Sequence, residues 1–447
     1  MYRVRPRLAG ALGVSSATRK LPLHFRDLPS QVDRFLLCFL YLSLSQVING
    51  TADANQKRAS VIKVLAEEIR TSMKFKMEMW EKNPRRKKAL AVMATRAKEG
   101  MLTMKKPRII FLSIILSTWA TVSAVAQAQE KSPFVRLDAA LNDIVPPDVK
   151  VEKLADGFRF TEGPVWVRKG GYLLFSDIPG NVIHKWNPAD GKVSVLLEKS
   201  GFTGSDATGV GREVITEGPE VFYNIGSNGI TLDRQGRVVY NAMGDRQIVR
   251  LEADGRRTVL ASHYEGKRLN STNDLVYKSD GSLYFTDPPS ALRGGDNDPK
   301  KELPFTGVFM LKDGKLQLLI QDIRPNGLTF SPDEKYLYVA DTNKRSVVRY
   351  EVRPDGTVAN GQVFIDMSSE KTPGGPDGMK VDEKGNLYST GPGGVWIISP
   401  AGKHLGTLVF PERPANFAFG DADGKTLYVT ARRGLYRIRL KIPGIRP

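Results

Sequence analysis

Cysteine and histidine are scarce: the 447 residues include one Cys, Cys38, and four His. Cys38 lies in the N-terminal quarter, so residues 129–447 have no disulfide and no thiol nucleophile. No Gly-x-Ser-x-Gly elbow occurs, which leaves a serine-hydrolase triad without support. His184 and His404 fall inside strand-like runs, where packing or surface roles are expected, and His263 sits in a loop. Helical periodicity is scarce beyond Val149. The Trp-Asp and Gly-His dipeptides of WD40 blades are missing, which disfavours that repeat family.

Positive charge is plentiful but confined. The net charge is +18, yet residues 1–128 hold 23 Lys+Arg against 8 Asp+Glu, leaving +3 for residues 129–447. The main domain is therefore near neutral, and a nucleic-acid partner is not expected for it. Within the basic quarter, Met104 opens a basic stretch (Lys105, Lys106, Arg108), then an apolar run from Ile109 to about Ala120, then small residues at Ala124, Ala126 and Ala128. This is the pattern of a secretory signal peptide. It predicts cleavage and a periplasmic or secreted product, with no stable membrane insertion of the mature domain. An uncleaved anchor is the rival reading. The expected divisions are an upstream extension at 1–103, non-native or disordered, a signal peptide at 104–128, and one folded domain at 129–447. A start codon assigned too far upstream would explain the extension. A genuine basic arm binding membrane or nucleic acid would explain it otherwise.

What is abundant after Val149 is the short strand bounded by turn residues. Hairpins with "NPADGK", "ADGR", "KDGK" and "RPDG" turns recur. Each unit restarts with a similar strand: "TEGPVWV", "SNGITLD", "TNDLVYK", "PNGLTFS", "PDGMKVD" and "PANFAFG". The leading residues Glu162, Asn228, Asn273, Asn326, Asp377 and Asn416 are 66, 45, 53, 51 and 39 residues apart. A four-strand unit of about 40–50 residues repeated six times predicts an all-β, six-bladed β-propeller with four-stranded antiparallel blades. The stretch "VKVEKLADGFRF" before Glu162 is the candidate strand for closing the ring.

In a propeller the first strand of each blade lines the central channel. The six leading residues should then form a ring, with Val165, Ile230, Leu275, Leu328, Met379 and Phe417 packing between blades. The ring offers oxygen only, from two carboxylates and four amides. That suits one hard divalent cation, Ca2+ first, with Mg2+, Mn2+ or Zn2+ as alternatives. Taken singly, Asn-Gly and Asp-Gly are ordinary turn formers entering a strand. Six blades agreeing in place, with Glu162 among them, favour the ring.

The motifs "FTEGPVWV", "NDLVYKSDGSLYFTDP", "RPNGLTFSPDEKYLYVAD" and "PDGMKVDEKGNLYST" together resemble the SMP-30/gluconolactonase/luciferin-regenerating-enzyme family over about Val149 to Leu440. The resemblance implies a six-bladed propeller holding one divalent metal and hydrolysing sugar-type lactones. It implies metal ligation by Glu162, Asn326 and Asp377, and a metal or substrate role for Asn273. Where some members carry an Arg two residues before that Asn, this chain has Ser271. Arg268 is the nearest arginine, and Met243 stands where many members carry a His. Arg268, His263 and Asn228 are the remaining candidate substrate contacts, and Asn416 is expected to line the ring. Asp377 is the candidate general base and Glu162 a pure ligand. The expected partner is a small-molecule lactone. A phosphotriesterase-like hydrolase with the same ligands, and a binding module with a structural metal, are the competing readings. The long Gly-rich loops at 199–226 and 288–307 suit a site mouth.

Overall fold

The computed structural model describes residues 132–215 and 221–447. The expected divisions at 1–103 and 104–128, Cys38, and a second Thr-Glu-Gly-Pro at 216–219 lie outside the described residues. Six antiparallel sheets follow one another along the chain. Their innermost strands are Thr161–Val167, Ser227–Leu232, Leu275–Tyr277, Pro325–Phe330, Met379–Val381 and Pro414–Gly420, defining blades 1 to 6. These are the six restarted strands of the sequence. The turn signals act as their chemistry requires. Asp313 (φ 49°) and Gly314 (φ 74°) both take left-handed conformations in the two-residue turn between Gly307–Lys312 and Lys315–Gln321. That is the twist-matched hairpin that Asp-Gly favours.

The ring closes with the predicted strand. Val151–Ala155 pairs antiparallel with Gly434–Arg439, placing Val151 opposite Ile438 and Lys153 opposite Tyr436. Blade 6 thus takes its outer strand from upstream of blade 1, which removes the exposed edge an open ring would present. The structure adds an element the sequence reading did not contain. Phe134–Arg136 pairs with His404–Leu408 and makes blade 5 five-stranded. A short 3-10 turn at Ala139–Asp143 follows, capped by Asp138 accepting from the Ala140 N–H, and it buries Leu141.

The core is divided into clusters between neighbouring blades. Val165 packs with Ile230 and Tyr240, Leu275 with Val239 and Phe285, and Leu328 with Tyr284 and Val308. Met379 packs with Tyr338 and Val347, and Phe417 with Tyr388 and Val395. Each of the five is buried. The last seam, between blades 6 and 1, stacks Trp166 on Tyr428 with ring centroids 5.2 Å apart. Such a pair adds about 1 kcal/mol beyond its buried area. Among the described residues no helix is long and apolar enough to cross a membrane.

Candidate metal centre and its mouth

The leading residues do sit at the heads of the inner strands, and the backbone explains how they are aimed. The register shifts at the head of the inner strand in blade 1 (between Glu162 and Val165), blade 2, blade 4 (between Pro325 and Leu328) and blade 6. Such bulges re-aim a side chain that a regular pleat would turn elsewhere. The glycine after the leading residue is mostly not turn chemistry. Gly327 carries no left-handed φ, but a Cβ there would lie 2.1 Å from the Asp377 carbonyl oxygen. Its N–H donates to that oxygen at 3.1 Å. Gly229 donates to the Asn273 carbonyl and Gly378 to the Ala415 carbonyl, each at 2.9 Å. Gly163 does both jobs: its φ is +53°, and a Cβ there would meet the Asn228 oxygen at 1.9 Å. The glycines let successive inner strands touch at the channel.

This convergence brings like charges together. Glu162, from blade 1, is buried, and its carboxyl accepts from the Gly163 N–H at 2.6 Å. Burial, then the Asp377 charge, hold its proton affinity well above the usual carboxylate range. Asp377, from blade 5, is likewise raised, by burial and then by the charge of Asp274, against which Arg413 and a hydrogen bond with the Asn326 side chain act in the other direction. Deep as it is, Asp377 also lines a pocket of about 230 Å³ at the channel mouth with Phe160, Pro376, Arg413 and Pro414. The structure therefore groups Glu162, Asn326 and Asp377 from blades 1, 4 and 5.

Asp274 is the residue that sequence reasoning missed. It is buried, and burial is the largest cause raising its proton affinity, opposed first by Lys380. Its Oδ1 accepts from the Leu275 N–H at 2.9 Å, while its Oδ2 has no hydrogen-bond partner. The Asn416 side chain reaches both Glu162 and Asp274, its own Oδ1 accepting from the Phe417 N–H at 2.8 Å. A signal existed. Aligned on the apolar residue of each inner strand, Asp274 and Asn416 occupy the level held by Gly229, Gly327 and Gly378. Aligning on the polar residue hid this.

These residues fit a hard divalent cation. The donor set is all oxygen, the buried carboxylates repel one another, and a buried carboxylate oxygen of Asp274 is orphaned. No three His, Cys, Asp or Glu among the described residues form a metal-holding group, so amide oxygens would have to complete the shell.

The other candidates are placed differently. Asn273 is buried and its carbonyl accepts from the Gly229 N–H and, at 2.7 Å, the Asn241 side chain. Asn228 is buried and its carbonyl accepts from the Ser176 hydroxyl at 2.8 Å. Ser271 accepts from the Ala291 N–H at 2.8 Å, a loop-holding role. His263 and Arg268 pair across a separate hairpin. His263 bonds its neighbour Ser262, and Arg268 donates to the Asp245 carbonyl at 3.0 Å. Among the described residues neither makes a hydrogen bond or ion pair with Glu162, Asp274 or Asp377. His184 packs on Phe158 and Phe175, and His404 stacks on Trp396.

The family model for the SMP-30/gluconolactonase/LRE-like region matches residues 160–433, from just before Glu162 into blade 6. The chain belongs to this family. A gluconolactonase of Zymomonas mobilis is 37% identical over 333 residues, covering 72% of this chain and 88% of that protein. A pentonolactonase of Haloferax volcanii is 28% identical, covering 62% and 82%. A solved gluconolactonase from Xanthomonas campestris superposes with a TM-score of 0.58 at 32% identity, covering 70% of this chain and 96% of that one. A second cavity of about 360 Å³ opens at the far end of the inner strands, lined by Ile230, Leu275, Leu328 and Lys380.

Proposed function

We propose that this protein hydrolyses sugar-type lactones with the help of one divalent cation, Ca2+ foremost, held by Glu162, Asn326 and Asp377 with Asn273 as a further amide donor. The observation that carries the reading is the grouping of the two carboxylates Glu162 and Asp377, which repel one another, with the Asn326 amide beside an open pocket. Bound there, the cation would supply Lewis-acid charge for the lactone carbonyl.

The chain's own residues account for the remaining work. Asp377 faces the mouth pocket and is the base that takes a proton from the attacking water. A carboxylate held beside the cation would accept that proton as the water attacks. The Asn326 side chain stands beside Asp377 and works against the rise in its proton affinity. Glu162 is held by the Gly163 N–H and serves as a ligand rather than a proton carrier. Asn228, and Asn273 as the alternative to its role as amide donor, are the candidate contacts for the hydroxyls of a sugar ring; both are buried near the heads of neighbouring inner strands.

A panel of lactones assayed before and after chelation, with cation add-back, tests this reading. Chelator-sensitive hydrolysis restored by Ca2+ is the expected result. No chelator-sensitive hydrolysis of any lactone or phosphoester would favour a binding module instead. The leader-like segment at 104–128 supports export to the periplasm or medium. N-terminal sequencing of the exported chain should find it starting shortly after Ala128.

A further inference from the structure

The mouth pocket has a polarity that lactone hydrolysis alone does not require. Its lining residues are Phe160, Thr342, Gly374, Gly375, Pro376, Asp377, Arg413, Pro414 and Ala415, and only Asp377 and Arg413 among them are ionisable. Arg413 forms no ion pair among the described residues. Ion pairs are made elsewhere by Arg324 with Asp296, Arg237 with Asp233, Arg437 with Glu152 and Arg439 with Asp423, whereas Arg413 is a pocket-lining arginine without one.

Two more arginines lie near this wall without lining the pocket. Arg432 is close enough to Arg413 for their charges to repel. Its backbone is pinned at a left-handed φ of 46°, where its carbonyl accepts from the Thr161 N–H at 2.7 Å and the Thr161 hydroxyl at 3.1 Å. Arg345 donates to the carbonyl of the lining residue Gly374 at 2.9 Å. Neither Arg432 nor Arg345 has a carboxylate partner among the described residues. Asp377 could serve as counter-ion to one of the three. Once it is a cation ligand, its charge is already committed, and the guanidinium groups at the rim are left without an anion. Unpaired arginines gathered at a pocket with apolar walls are the usual receptor for a carboxylate, phosphate or sulfonate.

We infer that Arg413, supported by Arg432 and Arg345, is a specificity-determining receptor for an anionic group, so the lactone taken by this site carries a negative charge away from its ring carbonyl. The inference rests on the lactone-hydrolase reading above. It assigns Asp377 and the cation to the carbonyl end of the substrate, and the arginine rim to the charged end.

The test compares D-glucono-1,5-lactone with its 6-phosphate and with a hexaric acid monolactone bearing a free carboxylate. The wild-type protein should show the higher kcat/KM on the charged lactones, with the preference shrinking as salt rises. Comparing the phosphate with the carboxylate arm tells which anion the rim prefers. In Arg413→Gln, kcat/KM on the preferred charged lactone should fall about 10- to 100-fold more than on the neutral one, the cost of a lost charge-assisted hydrogen bond. Arg413→Lys should restore part of that difference. Because the ratio is read within one variant, partial misfolding cannot mimic it. A wild-type protein that favours the neutral lactone, or an equal fall on neutral and charged substrates in Arg413→Gln, would overturn the arginine receptor while leaving the lactonase reading intact. Hydrolysis of none of the three lactones would overturn the lactonase reading itself.

Discussion

Asp377→Asn offers the sharpest test of the channel, because its effect on stability changes sign between chelator and cation while turnover falls. The substitution is isosteric and leaves Asn326 a partner. It removes a buried negative charge from beside Glu162 and Asp274, both of which burial already pushes toward the protonated form. Without cation, the protein should become more stable. Replacing a poorly compensated buried charge is worth about 1–3 kcal/mol. For a domain of about 300 residues, 1 kcal/mol moves Tm by roughly 1.5 °C, so a gain of about 2–5 °C is expected in chelator. With cation the order should reverse. A ligand at a hundred times its Kd adds about 2.7 kcal/mol to the native protein, and the variant forfeits most of that. Turnover should fall by about 10²–10⁴-fold with the loss of the base. Thermal unfolding by circular dichroism, in chelator and in excess Ca2+, together with lactone hydrolysis, reads all three effects. A variant less stable than the parent in chelator would refute the claim of uncompensated buried charge. Retention of more than about a tenth of the activity would refute the role of Asp377 as base.

Three further outcomes follow from the fold. Gly163→Ala should destabilise by about 3 kcal/mol or more, combining a left-handed φ with a Cβ 1.9 Å from the Asn228 carbonyl. Gly171→Ala, at φ +63° with open space around it, should cost only about 1 kcal/mol, and equal losses in urea titrations would disprove the close-approach argument. His404 is held neutral against Trp396, its Nε2 near the Gly406 carbonyl and Thr407 hydroxyl, and burial pushes its pKa down from 6.5 to about 4. The lowered folded-state pKa means that its contribution is present above pH 6.5 and is lost as pH falls toward 4. Discounted for its partial exposure, this amounts to about 1 kcal/mol, and a His404→Leu variant with an unchanged stability slope across that window would contradict it. Removal of residues 132–158 takes away the outer strand of blade 6 and leaves the edge of Gly434–Arg439 bare. A lower Tm and self-association in size-exclusion chromatography are expected, and an unchanged melt would show that closure does not depend on this strand.

Much of the architecture was legible because it is written in local chemistry. Turn dipeptides at hairpin spacing and six restarts of one strand pattern specify blades and their number, and the closing strand at Val151–Ala155 follows from the strand count. The fifth strand of blade 5 was not legible. Phe134–Arg136 is three residues long, and its partner is some 270 residues away in the sequence. The candidate site was half legible. Glu162, Asn326 and Asp377 stand out because a polar residue before Gly at a strand head recurs. Asp274 did not, because it takes the place of the recurring glycine.

By itself, then, the sequence determined a repeated all-β unit, its count, and an oxygen-rich set of residues at equivalent positions. It could do so because period-2 patterning and turn chemistry act over a few residues. Only the tertiary structure decided which of those residues share a charge environment, that the glycines serve strand contact rather than turning, and that Arg413 stands with Asp377 at one mouth. Those facts depend on curvature around a closed ring. Strand bulges and contacts of a few ångströms between separate blades set them, and no local pattern encodes them.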